Sequence, residues 1–474
     1  MSNEKLEVSI LNIREIAKNS EFRIDSEFFK NEYLQLDLIL KDANYIENIV
    51  EMSDVTSNGS FKAISNILND TNPKEVPYIR SGNVGNTFLN INELTKISEV
   101  AHKKLPASQT KLYDVMMARK GKIGGASIIT EGEVGFNCNE NVVKLTIIDD
   151  NFNPFYFTTF FNSKFGLKQV ERFSTGNVQP WLSMFQIRKL KIPRMSDNFQ
   201  MEIEKIVKNA LSQKRLSDIS YHDANKELLR ILNIRVDSNE FSDKQISIKN
   251  IKQIEVSNRI DAEYHQPKFD YLLKQIEENE FDKLKNLIDI KKSIEPGSNF
   301  YEEEGIPFVR VADIDKFGID NPKVYLPSEY FSQAISPKKG TILFSKDGTC
   351  GIAYKVDEDR KLITSSALLH LIKKDNISID LDYLTLVLNS PIVQMQAERD
   401  AGGSIIKHWS VPQIEQVLIP MLDENTQKDI GNLVRESFSL RRKSNELLKI
   451  AVKAVEIAIE ENEEKSLAFI DENL

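Results

Sequence analysis

Two stretches of the chain place apolar residues at helical spacing on one face and contain no proline. The first runs through Ile203, Ile206, Val207, Ala210, Leu211, Leu228, Leu229 and Leu232, with Ser196 or Asp197 suited to cap its start. The second runs through Ile430, Leu433, Val434, Phe438, Leu447, Leu448, Ala451, Ala454, Val455 and Ala458, with Asp423 as its cap. Each pattern predicts a helix of about 35–40 residues, roughly 50–60 Å long. Ahead of each, after a short strand and helix, the periodicity shortens to β-type runs such as 141–148 and 341–345, separated by Gly, Asn, Asp and Pro.

The elements repeat because the sequence repeats. VSILNIREI at 8–16 recurs as ISIKNIKQI at 246–254, and Arg23-Ile24-Asp25-Ser26-Glu27-Phe28 recurs as Arg259-Ile260-Asp261-Ala262-Glu263-Tyr264. Val76-Pro77-Tyr78-Ile79-Arg80 matches Ile306-Pro307-Phe308-Val309-Arg310, and Arg119-Lys120-Gly121-Lys122-Ile123-Gly124 matches Lys346-Asp347-Gly348-Thr349-Cys350-Gly351. Asn162-Ser163 matches Asn389-Ser390, Thr175-Gly176-Asn177 matches Gly402-Gly403-Ser404, and Lys191-Ile192-Pro193 matches Leu418-Ile419-Pro420. The offset falls from about 238 to about 227 residues and no block changes order, as loop deletions within a tandem duplication produce.

A long helix with one apolar face must cover it, and the other copy's helix is the nearest partner. The expected fold class is α+β: a tandem duplication of two mixed α/β domains, 1–195 and 246–422, separated by two long antiparallel coiled-coil helices at 196–236 and 423–466. A linker at 237–245 and an acidic C-terminal tail at 467–474 complete the expected division. Antiparallel helices would relate the two heads by an approximate two-fold axis, the geometry with which dimeric DNA readers match inverted half-sites. Diverged heads would then read different half-sites, about 1.5 turns of duplex apart.

Composition narrows the class. At 474 residues and 41% hydrophobic, the chain can bury two or three cores. It has no apolar run long enough to span a bilayer, and MSNEKLEVSI lacks the layout of a signal peptide, so a cytoplasmic protein with no membrane partner is expected. Cys138 and Cys350 are the only cysteines and sit in no metal or disulfide spacing. The net charge of −9 speaks against nucleic acid only as a sum. Residues 107–194 carry roughly +5, whereas the end of the chain, with Glu460, Glu461, Glu463 and Glu464, reads as a solvated helix terminus.

The candidate chemistry lies in the repeated turns. Arg119, Lys120 and Lys122 alternate with Gly121, Gly124 and Gly125, so backbone and cations can both approach a phosphate, and Lys346 with Gly348 repeats the arrangement. The stretches 174–181 and 402–409 mix Gly, polar residues and an aromatic, which can bond or stack on bases, although Trp181 and Trp409 are equally suited to a core. The candidate DNA-contacting set is Arg80, Asn83, Arg119, Lys120, Lys122, Asn177, Gln179 and Trp181 in the first copy. In the second it is Arg310, Lys346, Ser404, Lys407 and His408.

The R-I-D-x-E-[FY] lead-in, the [IV]-P-[YF]-[IV]-R block, the [RK]-x-G-x-x-G turn and the run from that second turn to Ile-Pro and the helix together resemble the DNA specificity subunits of type I restriction–modification systems. Gln200 and Gln427 stand where that family places a glutamine at the helix start. The resemblance covers nearly all of the chain. It implies two target-recognition domains, each reading half of a bipartite site in double-stranded DNA, and two helices serving as spacer and docking surface. It also implies two DNA methyltransferase subunits and restriction motor-nuclease subunits as partners. S-adenosylmethionine, ATP and magnesium would belong to those partners, and this chain would hold no cofactor or metal. The chain departs from the family's usual pattern in its overall acidity and at Asn177 and Pro180-Trp181, for which copy two has Ser404 and Lys407-His408.

Catalytic readings find little support. Asn153-Pro154-Phe155-Tyr156 is similar to the motif that holds a flipped adenine, but its second proline is missing. The glycine turn at 121–125 is basic and precedes a β run, unlike a cofactor-binding turn, and no phosphate-binding loop of the motor type occurs. The five histidines form no triad-like group, and Asp25 and Asp261 suit internal pairs with Arg23 and Arg259. Two non-catalytic alternatives are a recognition subunit for one partner that both methylates and cuts, and a duplicated scaffold that binds no DNA.

Overall fold

The computed structural model describes residues 8–10, 13, 16, 23–91, 94–121, 123–176, 180–235, 248–252, 254, 259–320, 322–403 and 406–474. They form two compact units, one of Met1–Gln213 with Lys443–Leu474, the other of Lys214–Arg442. This division differs from the expected one because the long helices are not separate from the heads. Each gives one end to each unit, where its apolar stripe is part of the core.

In the first unit, strands Val50–Ser53, Val142–Ile147, Val115–Ala118 and Ala126–Ile128 lie side by side and antiparallel, and Thr87–Phe88 adds in parallel at the edge. A second sheet holds Thr95–Ser98, Lys74–Ile79 and Asn137–Cys138. The helix Pro154–Phe161 is buried from Phe155 onward. Its phenylalanines meet Phe199, Ile203, Val207 and Ala210 of the first long helix and Ala451, Ala454 and Val455 of the second in one core.

The second unit repeats the plan. Ile288–Lys292, Leu368–Lys373, Ile342–Ser345 and Ala353–Lys355 form one sheet, and Tyr325–Leu326, Ile306–Val309 and Ile363–Thr364 another. Leu381–Asn389 is the buried helix, against Ala224, Leu228, Ile430 and Val434 of the long helices.

The repeated motifs hold each head together. Asn162 bonds both backbone groups of Ala126, at 2.8 and 2.9 Å, and Asn389 does the same to Ala353, at 3.0 and 2.7 Å. Gln200, 3% exposed, donates to the carbonyls of Met195 and Asn151 and accepts from the Asn153 amide. Gln427 donates to Leu422 and accepts from Asp380 in the same way. The glutamines therefore tie each helix start to the head before it. Asn153-Pro154-Phe155-Tyr156 has a structural role: Asn153 caps its helix, and the buried Tyr156 hydroxyl donates to the Pro193 carbonyl. Tyr383 repeats that bond to Pro420.

The long helices run Asp197–Ile231 and Glu424–Glu460. Ser196 accepts from the Phe199 amide and Asp423 from Asn425 and Thr426, so both starts are capped as expected. The first helix stops short of 236. Asn233 turns left-handed at φ 51°, and the amides of Asn233 and Ile234 bond back to Arg230 and Leu229 in a Schellman closure.

Where the helices meet, serines replace leucines. In the second unit Ser437 donates to the Ser217 carbonyl at 2.8 Å and Ser220 to the Leu433 carbonyl at 2.9 Å, an antiparallel register. In the first unit Ser444 donates to the Ala210 carbonyl at 2.8 Å.

The second helix ends six residues before 466, and the stretch expected as a solvated helix end and acidic tail forms a separate helix, Glu463–Asn473, packed on the core. Asn462 caps it, Ser466 donates to the Ala454 carbonyl, and Ile470 is 2% exposed. Glu463 and Glu464 suit the positive end of its dipole.

Candidate nucleic-acid interface

In the first unit, Val50–Ser53 and Val115–Ala118 both pair antiparallel with Val142–Ile147, so they run parallel and leave the sheet at the same end. Backbone bonds gather the turns at that end. The Arg119 amide donates to Asn141 at 2.8 Å, Asn139 to Ile79 at 3.0 Å, Leu182 to Arg119 at 2.8 Å and Gly121 to Pro180 at 3.2 Å. The blocks around Arg80, Lys120 and Trp181, far apart in the chain, thereby form one edge.

The second unit makes the same four bonds. Lys346 donates to Ala367 at 2.9 Å, Ser365 to Val309 at 2.9 Å, Trp409 to Lys346 at 2.8 Å and Gly348 to Lys407 at 2.9 Å. Gly121 and Gly348 take φ of 80° and 73°, a left-handed conformation that accounts for glycine at both positions. The bonding also aligns Trp181 with His408 and Leu182 with Trp409. Trp181 is accordingly exposed, whereas Trp409 is 1% exposed and packs on Phe344.

The predicted residues divide into surface and support. Arg80, Lys120 and Trp181 are exposed on the first edge, and neither cation has an ion pair among the described residues. Arg119, expected at a phosphate, instead pairs with the buried Asp54, their side chains 11% and 2% exposed, and also donates to the Leu182 carbonyl. It turns inward because strand 50–53 ends beside it and delivers that carboxylate. Asn83, 8% exposed, accepts from the Arg80 amide and donates to Asn90. It shapes the Arg80 turn, as Asp313 does for Arg310.

On the second edge Lys407 and His408 are exposed. Lys346 pairs with Asp347, which also lies 2.9 Å from His408 Nδ1, and Arg310 Nε is 3.3 Å from Asp313. Lys122, Asn177, Gln179 and Ser404 lie outside the described residues. Sequence reasoning missed the turns at 139–141 and 365–367, whose side chains differ between copies and so gave no repeat to find.

Several other titratable groups are shifted by internal contacts. Arg23 holds the Asp25 carboxyl below its ordinary value, and Arg259 holds that of Asp261 down at about 2, through bidentate pairs. Burial, with Asp347 nearby, raises the Cys350 thiol. Burial, helped by Lys291, pushes His370 down to about 4, and the ring bonds Thr364 at 2.8 Å. No cluster of His, Cys, Asp and Glu able to hold a metal occurs among the described residues, and none of their helices is long and apolar enough to cross a membrane.

No curated protein matches the chain in sequence. Among solved structures it is similar to the S subunit of a type I restriction–modification system from M. genitalium, at 13% identity over 89% of this chain and 95% of that one, with a TM-score of 0.37. It is also similar to the HsdS subunit from Thermoanaerobacter tengcongensis, at 13% identity, 88% and 96% coverage and a TM-score of 0.27. A structure described for complex assembly and conformational transition of the type I R-M system matches at 14% identity, 88% and 96% coverage and 0.28. The family profile of the type I restriction modification DNA specificity domain matches twice, at residues 47–219 and 276–447. Those two matches fall on the two heads and their helices, and the chain belongs to the type I restriction–modification DNA specificity domain family.

Proposed function

We propose that each unit reads one part of a bipartite site in double-stranded DNA through its gathered turns, and that the chain delivers partner subunits to that site without catalysing a reaction itself. One observation carries this reading. The same four backbone bonds build both edges, yet the side chains they present differ: Lys120 against Asp347, Trp181 against His408 and Pro180 against Lys407. A constant frame with variable tips suits two half-sites of different sequence. Exposed Arg80, Lys120 and Lys407 suit phosphates, and Trp181 and His408 suit base edges.

The partners in this reading are two DNA methyltransferase subunits and, in the full assembly, motor-nuclease subunits. S-adenosylmethionine, ATP and magnesium are theirs, and the chain works in the cytoplasm. Co-purification from the host with long-read methylome mapping tests the proposal. A split, asymmetric methylated motif that disappears when the gene is deleted supports it, and a methylome untouched by the deletion refutes it.

A further inference from the structure

We infer that Phe61 is a base-contacting wedge of the first unit, pressing its ring into the base stack of one half-site; this rests on the DNA-reading role proposed above. The residue stands 73% exposed, more open than Trp181 at 43%. It opens the helix Phe61–Leu68, whose inward face is carried by Ile64 with Ile67 and Leu68 partly buried. Three residues before Ile64, it has the spacing to join that face, yet it is held in water.

The loop that presents it leaves the sheet at the end where the Lys120 turn leaves. It follows Val50–Ser53, parallel to Val115–Ala118, and Asp54 at its root pairs with Arg119, the neighbour of Lys120. The loop is braced throughout. Thr56 donates to Asp54 at 2.8 Å, the Ala107 amide to Asn58 at 2.8 Å, and Asn58 to Ser108 at 3.0 Å. Gly59 turns the backbone at φ 146°, and Ser60 caps the helix. Lys62, next in sequence, is exposed and has no ion pair among the described residues. A braced, open aromatic next to an exposed lysine, on a loop that leaves the sheet at the end offered to DNA, suits a ring set against bases, with the lysine on an adjoining phosphate. In the second unit the corresponding stretch offers Phe300, which is spent on Tyr330 and Phe331, with centroids 6.0 and 5.3 Å away. The wedge therefore belongs to one half-site.

The test uses the chain with its host methyltransferase subunits, a duplex carrying the motif from methylome mapping, and Phe61→Ala beside Phe61→Trp. Phe61→Ala is expected to weaken binding about 5- to 100-fold and to abolish permanganate reactivity of a thymine in one half-site, while Phe61→Trp keeps both. Wild-type affinity and reactivity in Phe61→Ala overturn the inference. So does loss of the methyltransferase subunits on purification at unchanged DNA affinity, which would make Phe61 a protein contact. A wild-type chain that directs no methylated motif overturns the DNA-reading role itself, and the wedge with it.

Discussion

Replacing Arg119 and Lys120 separately should give opposite results, although the two are adjacent in one basic, glycine-rich turn. Arg119→Ala strands the Asp54 carboxylate, 2% exposed, without its guanidinium, and removes the bond to Leu182 that joins two turns of the edge. Breaking one side of a buried pair costs roughly 3–5 kcal/mol. For a unit of this size that lowers the melting temperature by roughly 6–20 °C. Lys120→Ala removes an exposed cation and should leave the melt unchanged. Its effect falls on DNA, where losing one phosphate contact lessens the slope of log K against log salt by about 0.9. Differential scanning calorimetry and fluorescence anisotropy across a salt series read the two effects. Replacing both Asp54 and Arg119 by apolar residues of similar volume should recover part of the melt, because no unpaired charge remains, but not all of it, because Thr56 and the Leu182 carbonyl still lose their partners. An Arg119→Ala protein that melts like wild type but loses the salt slope would refute the assignment of Arg119 as internal support.

Three further perturbations follow from the joints described above. Gln427→Leu leaves the Asp380 amide and the Leu422 carbonyl without a partner, and should destabilise the second unit by roughly 1–3 kcal/mol in calorimetry. Ser437→Leu forces bulk into a helix contact close enough for a hydroxyl to reach the opposite backbone, and should cost roughly 1–3 kcal/mol, whereas Ser437→Ala should cost about 1 kcal/mol. His370 titrates at about 4 in the fold against 6.5 for the free side chain. The unfolded chain therefore takes up the proton first as the pH falls, and stability is lost between about 6.5 and 4. His370→Gln should shrink the stability difference between pH 7 and pH 4 by roughly 3 kcal/mol in urea titrations.

Periodicity and repetition made the plan of the molecule legible. Apart from Leu211, the apolar positions that recur at helical spacing join or pack against the cores, and the strands expected at 141–148 and 341–345 form at Val142–Ile147 and Ile342–Ser345. What stayed hidden depends on contacts across distance. Serine has no place in an apolar pattern, so the packing at Ser217, Ser437 and Ser444 left no periodic signal. Arg119 and Lys120 look alike in sequence, and only Asp54, delivered by a strand far upstream, separates support from surface. The acidic end gave a composition signal of solvation, while its folding rests on Leu467 and Ile470 meeting a core assembled elsewhere.

The first unit draws Lys443–Leu474 from beyond the whole of the second unit. A ribosome must therefore add about 260 residues after Gln213 before that core has all its parts, roughly 13–52 s at ordinary elongation rates. During that interval Phe199, Ile203 and Val207 wait without the surface that covers them, whereas the second unit has all of its sequence once Arg442 emerges. A chain truncated by its last thirty or so residues would retain every residue of the second unit and lack part of the first. Birth order and folding order are thus inverted: the half that is made first is the last to be finished.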